Sequence, residues 1–163
     1  MNVGSFGKIA LLPLIIALPL AGAAQAQTAN TTIPPSGIVK VKSAYSVQET
    51  VARIKKDVAD KGIMWFSEVD QQQLAGNAGI KLRPSTLLTF GNPPLGTLFI
   101  SANPLAGLDW PVRVPVLEDE NGQVWAAYTD FGYIARRHEI SGADAESFAK
   151  ASGVIASITS SVK

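Results

Sequence analysis

The sequence predicts an α+β domain, an antiparallel sheet of about five strands with helices packed on one face. Three observations carry that expectation. Val47, Val51, Ile54 and Val58 fall at i, i+4, i+7 and i+11, one apolar stripe at helical period. Val112–Glu118 and Gln123–Thr129 are β-rich runs joined by Asp119-Glu120-Asn121-Gly122, an Asn-Gly hairpin signal. Phe148, Ala151, Ile155, Ile158 and Val162 form a second helical stripe at the C-terminal end.

The first 26 residues read as an address and stand outside the fold. Lys8 precedes an apolar run, Ile9–Leu20, interrupted only by Pro13 and Pro19, and the A-x-A sites Ala21-Gly22-Ala23 and Ala24-Gln25-Ala26 follow. Charge, apolar run and small-residue site in that order describe a secretory signal peptide, cut after Ala26. The run falls short of the roughly 20 residues that cross a bilayer. The mature protein is therefore expected to be periplasmic or secreted, bacterial, and free of the membrane after cleavage. Gln27–Ser36 is polar, contains Pro34-Pro35, and reads as a flexible tether, leaving residues 37–163 as a single domain.

Composition excludes several classes. Of 163 residues, 47% are hydrophobic and 17% charged, with 14 basic and 13 acidic side chains. Removing the leader takes away Lys8 alone among the charges, so 137 mature residues carry 13 of each sign. A neutral balance argues against a nucleic-acid binder. The absence of Cys excludes disulfides, thiolate metal sites and a Cys nucleophile. No cofactor or metal is implied by any motif.

The elements follow in order. Ile38–Ser43 has strand composition, with lysines on one face. Ser46-Val47-Gln48-Glu49 is a capping box that opens a helix, and Gly62 stops it. Ile63–Val69 is the next strand. Asp70-Gln71-Gln72-Gln73 caps a short helix that Gly79 ends. Thr86–Phe90 is a buried strand. Gly91-Asn92-Pro93-Pro94 turns the chain, with Asn92 placed to cap and Pro93 at a first helical position. Leu95, Leu98, Phe99 and Ala102 then have helical spacing, although Thr97–Ile100 is equally compatible with a strand. Pro115 cannot donate to a ladder, which assigns the first hairpin arm to an edge or a bulge. Asp130 caps a short helix through Arg137, and Ser141-Gly142-Ala143-Asp144 opens the last helix.

With these signals in place, the chain from about Ile38 onward resembles the bacterial "domain of unknown function 302" family. The resemblance is carried by Glu68-Val69-Asp70, Leu82-Arg83-Pro84, Leu87–Pro93, Leu95-Gly96-Thr97, Trp110-Pro111-Val112-Arg113, Glu118–Trp125, Tyr128, Tyr133-Ile134 and Arg137-His138. It implies a TATA-binding-protein-like fold, a curved antiparallel sheet with two main helices, together with self-association and no established activity. Many relatives place His after the aspartate that corresponds to Asp70. This chain has Gln71 there, so an Asp–His pair at that position is half missing.

The residues able to carry chemistry are few. His138 is the single histidine and follows Arg136-Arg137; it suits a proton shuttle or an anion clamp, or simply a helix end. Asp70 as an acid or base needs burial or a close like charge to lift its pKa, and as a cap needs only its helix. Arg83 and Arg113 each stand near proline at the ends of apolar strands, where two converging guanidinium groups would hold an anion bidentately or would instead pair with acidic side chains such as Glu68, Asp109 or Glu118. Gly91-Asn92-Pro93-Pro94-Leu95-Gly96 is a stiff loop with glycine at each end, a structural turn or, if a helix starts after Asn92, a set of free helix amides for an anion. Trp125 and Tyr128 face opposite sides of an alternating strand, so one of them points away from the core toward a dimer contact or an apolar ligand. Ser147-Phe148-Ala149-Lys150 matches a serine–x–x–lysine pattern by chance, since its companion elements are missing.

Two functional expectations result. The first is an exported, non-enzymatic binding or interaction module, a homodimer working through its open sheet face, with a small anionic or apolar ligand. The alternative is a small enzyme or ion-binding protein that gathers Asp70, His138 and Arg137 in one cleft. Whether Asp70 and His138 meet decides between them.

Overall fold

The computed structural model describes Met1 and residues 35–163, with backbone alone at residues 143–145. The signal peptide and all but the last two residues of the tether, Met1 apart, lie outside the described residues. The elements run β1 (Ile38–Lys42), α1 (Val47–Asp60), β2 (Met64–Asp70), α2 (Gln71–Asn77), β3 (Ser85–Gly91), α3 (Pro93–Ala102), a 3-10 helix (Pro104–Leu108), β4 (Val112–Glu118), β5 (Val124–Thr129), α4 (Phe131–Arg137) and α5 (Ala143–Ser160). The five strands form one antiparallel sheet in the order β1-β5-β4-β3-β2.

The helices start where short polar side chains satisfy free amides. Ser46, Asp70, Asn92 and Asp130 each accept a hydrogen bond from the amide three residues on, at 3.2, 2.8, 3.1 and 2.7 Å. The reciprocal half of the first capping box is replaced, because the Glu49 carboxylate reaches forward to Arg53 at 2.8 Å. Residues 93–102 resolve to helix, set by the Asn92 cap and by proline at the first positions. The last helix starts at Gly142 without a side-chain cap, so Ser141 does not serve there.

Register sorts the strand residues onto two faces. Leu88 opposes Val114, Thr86 opposes Val116, and Val116 opposes Ala126, which in turn opposes Val41. Leu88, Val114, Val116, Ala126 and Val41 among them meet the stripes of α1 (Val47, Val51, Ile54, Val58) and α5 (Phe148, Ala151, Ile155, Ile158) in one core. Phe99 of α3 stacks on Phe148 of α5 with ring centroids 3.5 Å apart, tying the outer helices together. The other face carries Val69, Leu87, Pro115, Leu117, Trp125 and Thr129, all half-buried, with Ile38, Lys40, Lys42 and Arg113 exposed beside them.

Pro115 corrects the edge expectation. β4 is the central strand, between β5 and β3. The proline is tolerated because the β4–β5 ladder covers only Val116–Glu118 against Val124–Ala126 and stops next to it. A missing donor costs little where no acceptor is presented.

Candidate functional site

The densest group of chemically capable side chains lies where the chain enters β4. Asn103 heads the 3-10 helix, accepting from the Leu105 amide at 2.9 Å and donating to the His138 carbonyl at 2.9 Å. That helix delivers Asp109 to the C-terminal end of α4, which carries Arg137 and His138. The His138 Nε2 lies 2.6 Å from Asp109 Oδ2, and Arg137 Nη1 donates to both carboxylate oxygens at 3.3 and 3.4 Å. The His138 and Asp109 side chains are 5% and 9% exposed, while Arg137 is 49% exposed. A cation at a helix C-terminus also meets the negative end of the helix dipole.

A carboxylate–imidazole–guanidinium group is able to shuttle protons where substrate reaches it. Here the space beside it, lined by Asp109, Val112, Arg113, Thr129, Phe131 and Ile134, measures about 20 Å³. That is room for about one water molecule. The arrangement works as a clamp that joins the loop before β4 to the end of α4.

Asp70 is not part of it. Its Oδ1 accepts from the Gln73 amide, and the residue pairs with Thr86, which pairs with Val116 near the far end of β4. Asp109 adjoins the opposite end, before Val112. Four residues of strand, about 13 Å, separate the two levels. The cleft of Asp70, His138 and Arg137 expected for an enzyme is therefore not formed, and the carboxylate that His138 meets is Asp109. The sequence offers Asp109 only as an acidic partner for Arg83 or Arg113; His138 lies 29 residues away, and no motif links the two.

Arg83 and Arg113 do not converge either. Arg113 pairs in register with Thr89 and donates to the Leu108 carbonyl, whereas Arg83 precedes Ser85, which pairs with Leu117 at the other end of the sheet. Asn92 spends its carboxamide oxygen on the Leu95 amide. Tyr128 belongs to the core; burial, and then the charge of Asp130, push its phenol upward. Trp125 is on the open face, as alternation requires, with Lys40 Nζ 4.3 Å from its ring. Among the described residues, no three His, Cys, Asp or Glu side chains gather as a metal site.

The turn beside Trp125 is organised by one carboxylate. Asp119 accepts from the Trp125 indole N–H at 2.8 Å and from the Asn121 and Gln123 amides at 2.9 and 3.0 Å. The indole hydrogen bond first, then the Gln123 amide, hold its carboxyl below the usual carboxylate range. A depressed folded-state pKa contributes stability above the unfolded value of about 3.9, lost as pH falls through the lower folded value. Acid titration below about pH 4 is expected to move the Trp125 indole N–H resonance, and Asp119→Asn to abolish that movement. A resonance indifferent to acid in the parent protein would remove this assignment.

Comparison with known proteins adds three findings. The model of the family described as "Domain of unknown function DUF302" matches residues 39–158. Curated relatives from Brucella suis biovar 1 (strain 1330) and Brucella abortus biovar 1 (strain 9-941), each called "Fluoride-specific ion channel FluC 1", are 38% identical over 109 residues, 67% of this chain. Those residues make up 43% and 40% of the two relatives, so the chain spans less than half their length. The crystal structure of an uncharacterized conserved protein DUF302 from Bacillus stearothermophilus superposes with a TM-score of 0.70 at 16% identity, covering 78% of this chain and 98% of that one. At that identity the likeness speaks for the fold alone.

Proposed function

Because the chain belongs to the DUF302 family, a domain of unknown function, its role has to be argued from its own surfaces, and we propose that it is an exported, non-enzymatic binding module that pairs with a second copy of itself through the helix-free face of its sheet. The observation that carries this reading is the composition of that face by register. Its centre is apolar, with Leu87 opposite Pro115 and Leu117 opposite Trp125. Its margin is cationic and exposed, with Lys40 and Lys42 on β1 and Arg113 on β4. An apolar centre ringed by hydrated charge is the anatomy of a protein interface. A two-fold partner seated over the centre leaves Lys42 and Arg113 at the rim in water, while Lys40, whose Nζ lies 4.3 Å from the Trp125 ring, would stay on that ring.

Two further observations favour binding over catalysis. Of the Asp109–His138–Arg137 group only Asp109 lines the adjoining space, which holds about one water, and Asp70 caps its own helix. The channel named in the curated relatives is not carried over. Among the described residues no helix is long and apolar enough to cross a membrane, so in this reading the shared 109 residues are a module that accompanies the rest of those proteins.

Sedimentation equilibrium tests the pairing. The mature protein is expected to weigh as a dimer and Leu117→Glu as a folded monomer. A monomeric parent protein, or a variant that still dimerises, would move the working surface elsewhere. Export has its own readout: intact mass from the periplasm corresponds to cleavage after Ala26, and a retained leader would end that part of the proposal.

A further inference from the structure

We propose that the groove between the α2–β3 connection and the end of β4 is a binding site for a small organic monoanion with an apolar body. This site is separate from the sheet face and stands whether or not the protein dimerises. The groove is an open concavity of about 630 Å³ lined by Gln72, Lys81, Leu82, Arg83, Pro84 and Glu118. That volume falls in the range of small-molecule sites, about 300–1,000 Å³.

Its walls are tied to the fold. The Glu118 amide donates to the Pro84 carbonyl at 3.0 Å, Gln72 Nε2 donates to the Leu82 carbonyl at 3.2 Å, and Ser85 Oγ donates to Gln71 Oε1 at 2.7 Å. The segment that carries Lys81 and Arg83 is thus fastened to both α2 and β4. A fastened wall loses less freedom when a ligand arrives.

The charges in it are uncommitted. Among the described residues, Lys81 and Arg83 have no carboxylate within 4 Å, as is also true of Lys40, Lys42, Arg113, Arg136, Lys150 and Lys163; what sets these two apart is that both line one concavity. A guanidinium offers two parallel donors to a carboxylate, and a nearby ammonium adds a second positive charge. Leu82, 42% exposed, supplies an apolar surface beside them.

An acidic side chain in the same groove limits the ligand's charge. Glu118 lines it together with Lys81 and Arg83. A second negative charge on the ligand would meet that carboxylate. A hydroxyl or amine there would instead donate to it. A hydroxy- or amino-substituted carboxylate fits both ends.

The probes are benzoate, its neutral isostere benzamide, its dianionic relative phthalate and 4-hydroxybenzoate, titrated into the full-length mature protein by NMR. Benzoate is expected to shift the Arg83 Nε–H and the Leu82 and Glu118 amides saturably, 4-hydroxybenzoate to bind more tightly, and benzamide and phthalate to bind at least about tenfold more weakly. Arg83→Gln is expected to weaken benzoate by about tenfold or more and Lys81→Gln by less, while Lys150→Gln on α5 leaves it unchanged. All three positions are exposed, so the variants keep the fold. Absence of a saturable shift, equal response to benzamide, or undiminished binding by Arg83→Gln would each overturn the site.

Discussion

Gly96→Ala is expected to lower the stability of this domain by about 2–3 kcal/mol, against the usual direction for a helical glycine, which gains roughly 0.5–1 kcal/mol on replacement by alanine. The reason is the Trp110 indole. A Cβ at Gly96 would overlap the atoms where its two rings fuse, and a Cβ at Gly91 would overlap the outer edge of its six-membered ring. Gly91 ends β3 and Gly96 lies in the first turns of α3; both are buried, and neither has a positive φ. The glycines are needed for close approach and not for backbone freedom. The indole is rigid and half-buried, and the space it shares with Phe90, Val112 and Ile155 measures only about 40 Å³, too little to take a displaced ring. The melting temperature should fall by about 10 °C, given the several degrees per kcal/mol typical of this size. Gly76→Ala in α2, where a Cβ would touch nothing within 4 Å, serves as the control and should leave stability unchanged or slightly raised. In a Trp110→Ala background the Gly96→Ala penalty should vanish, a coupling of about 2 kcal/mol or more. Equal melting temperatures for parent and Gly96→Ala would show that the ring is free to yield.

What the sequence disclosed, and what it hid, follows the range of the interaction. Caps are decided within three residues, so Ser46, Asp70, Asn92 and Asp130 were all legible, and their bonds are present. The stripes of α1 and α5 were legible because periodicity is local while burial is its consequence. The position of Pro115 was not. Local chemistry said only that a donor is missing; that β4 is nevertheless central depends on where its ladder with β5 stops. The glycines of Gly91-Asn92-Pro93-Pro94-Leu95-Gly96 looked like turn residues, and what they accommodate is a tryptophan from a later segment. The same limit applied to the candidate site. His138 and Arg137 were singled out for their own chemistry, and their carboxylate was assigned to Asp70. A cap needs no tertiary partner, whereas Asp109 acquires its role only after α4 folds back against the loop before β4.

That role makes Asp109→Ala the second large effect, and its pattern separates a clamp from a catalytic group. Removing one member of a buried pair costs about 3–5 kcal/mol when the remaining charge is stranded, and about 1–3 kcal/mol when a neutral polar group is left unpaired. Arg137 is half exposed and can turn its guanidinium to water, so its share should stay near or below about 1 kcal/mol. The loss then falls on His138, whose side chain is almost fully buried and whose Nε2 loses its 2.6 Å partner. A net destabilisation of about 2–3 kcal/mol is expected for Asp109→Ala, less for the isosteric Asp109→Asn, and under about 1 kcal/mol for Arg137→Gln, all read from denaturant midpoints. Asp109→Ala and His138→Ala should be strongly non-additive, since each removes the same bond. The Asn103 bond to the His138 carbonyl survives every one of these changes, so α4 stays docked and the variants remain measurable. If Asp109→Ala cost no more than Arg137→Gln, the imidazole would not depend on that carboxylate, and the group would have to be reconsidered as a site held ready for something else. A penalty concentrated on the buried carboxylate–imidazole bond is what a structural clamp requires. With this group given to structure, the sheet face and the Lys81–Arg83 groove are left as the surfaces on which the proposed binding would take place.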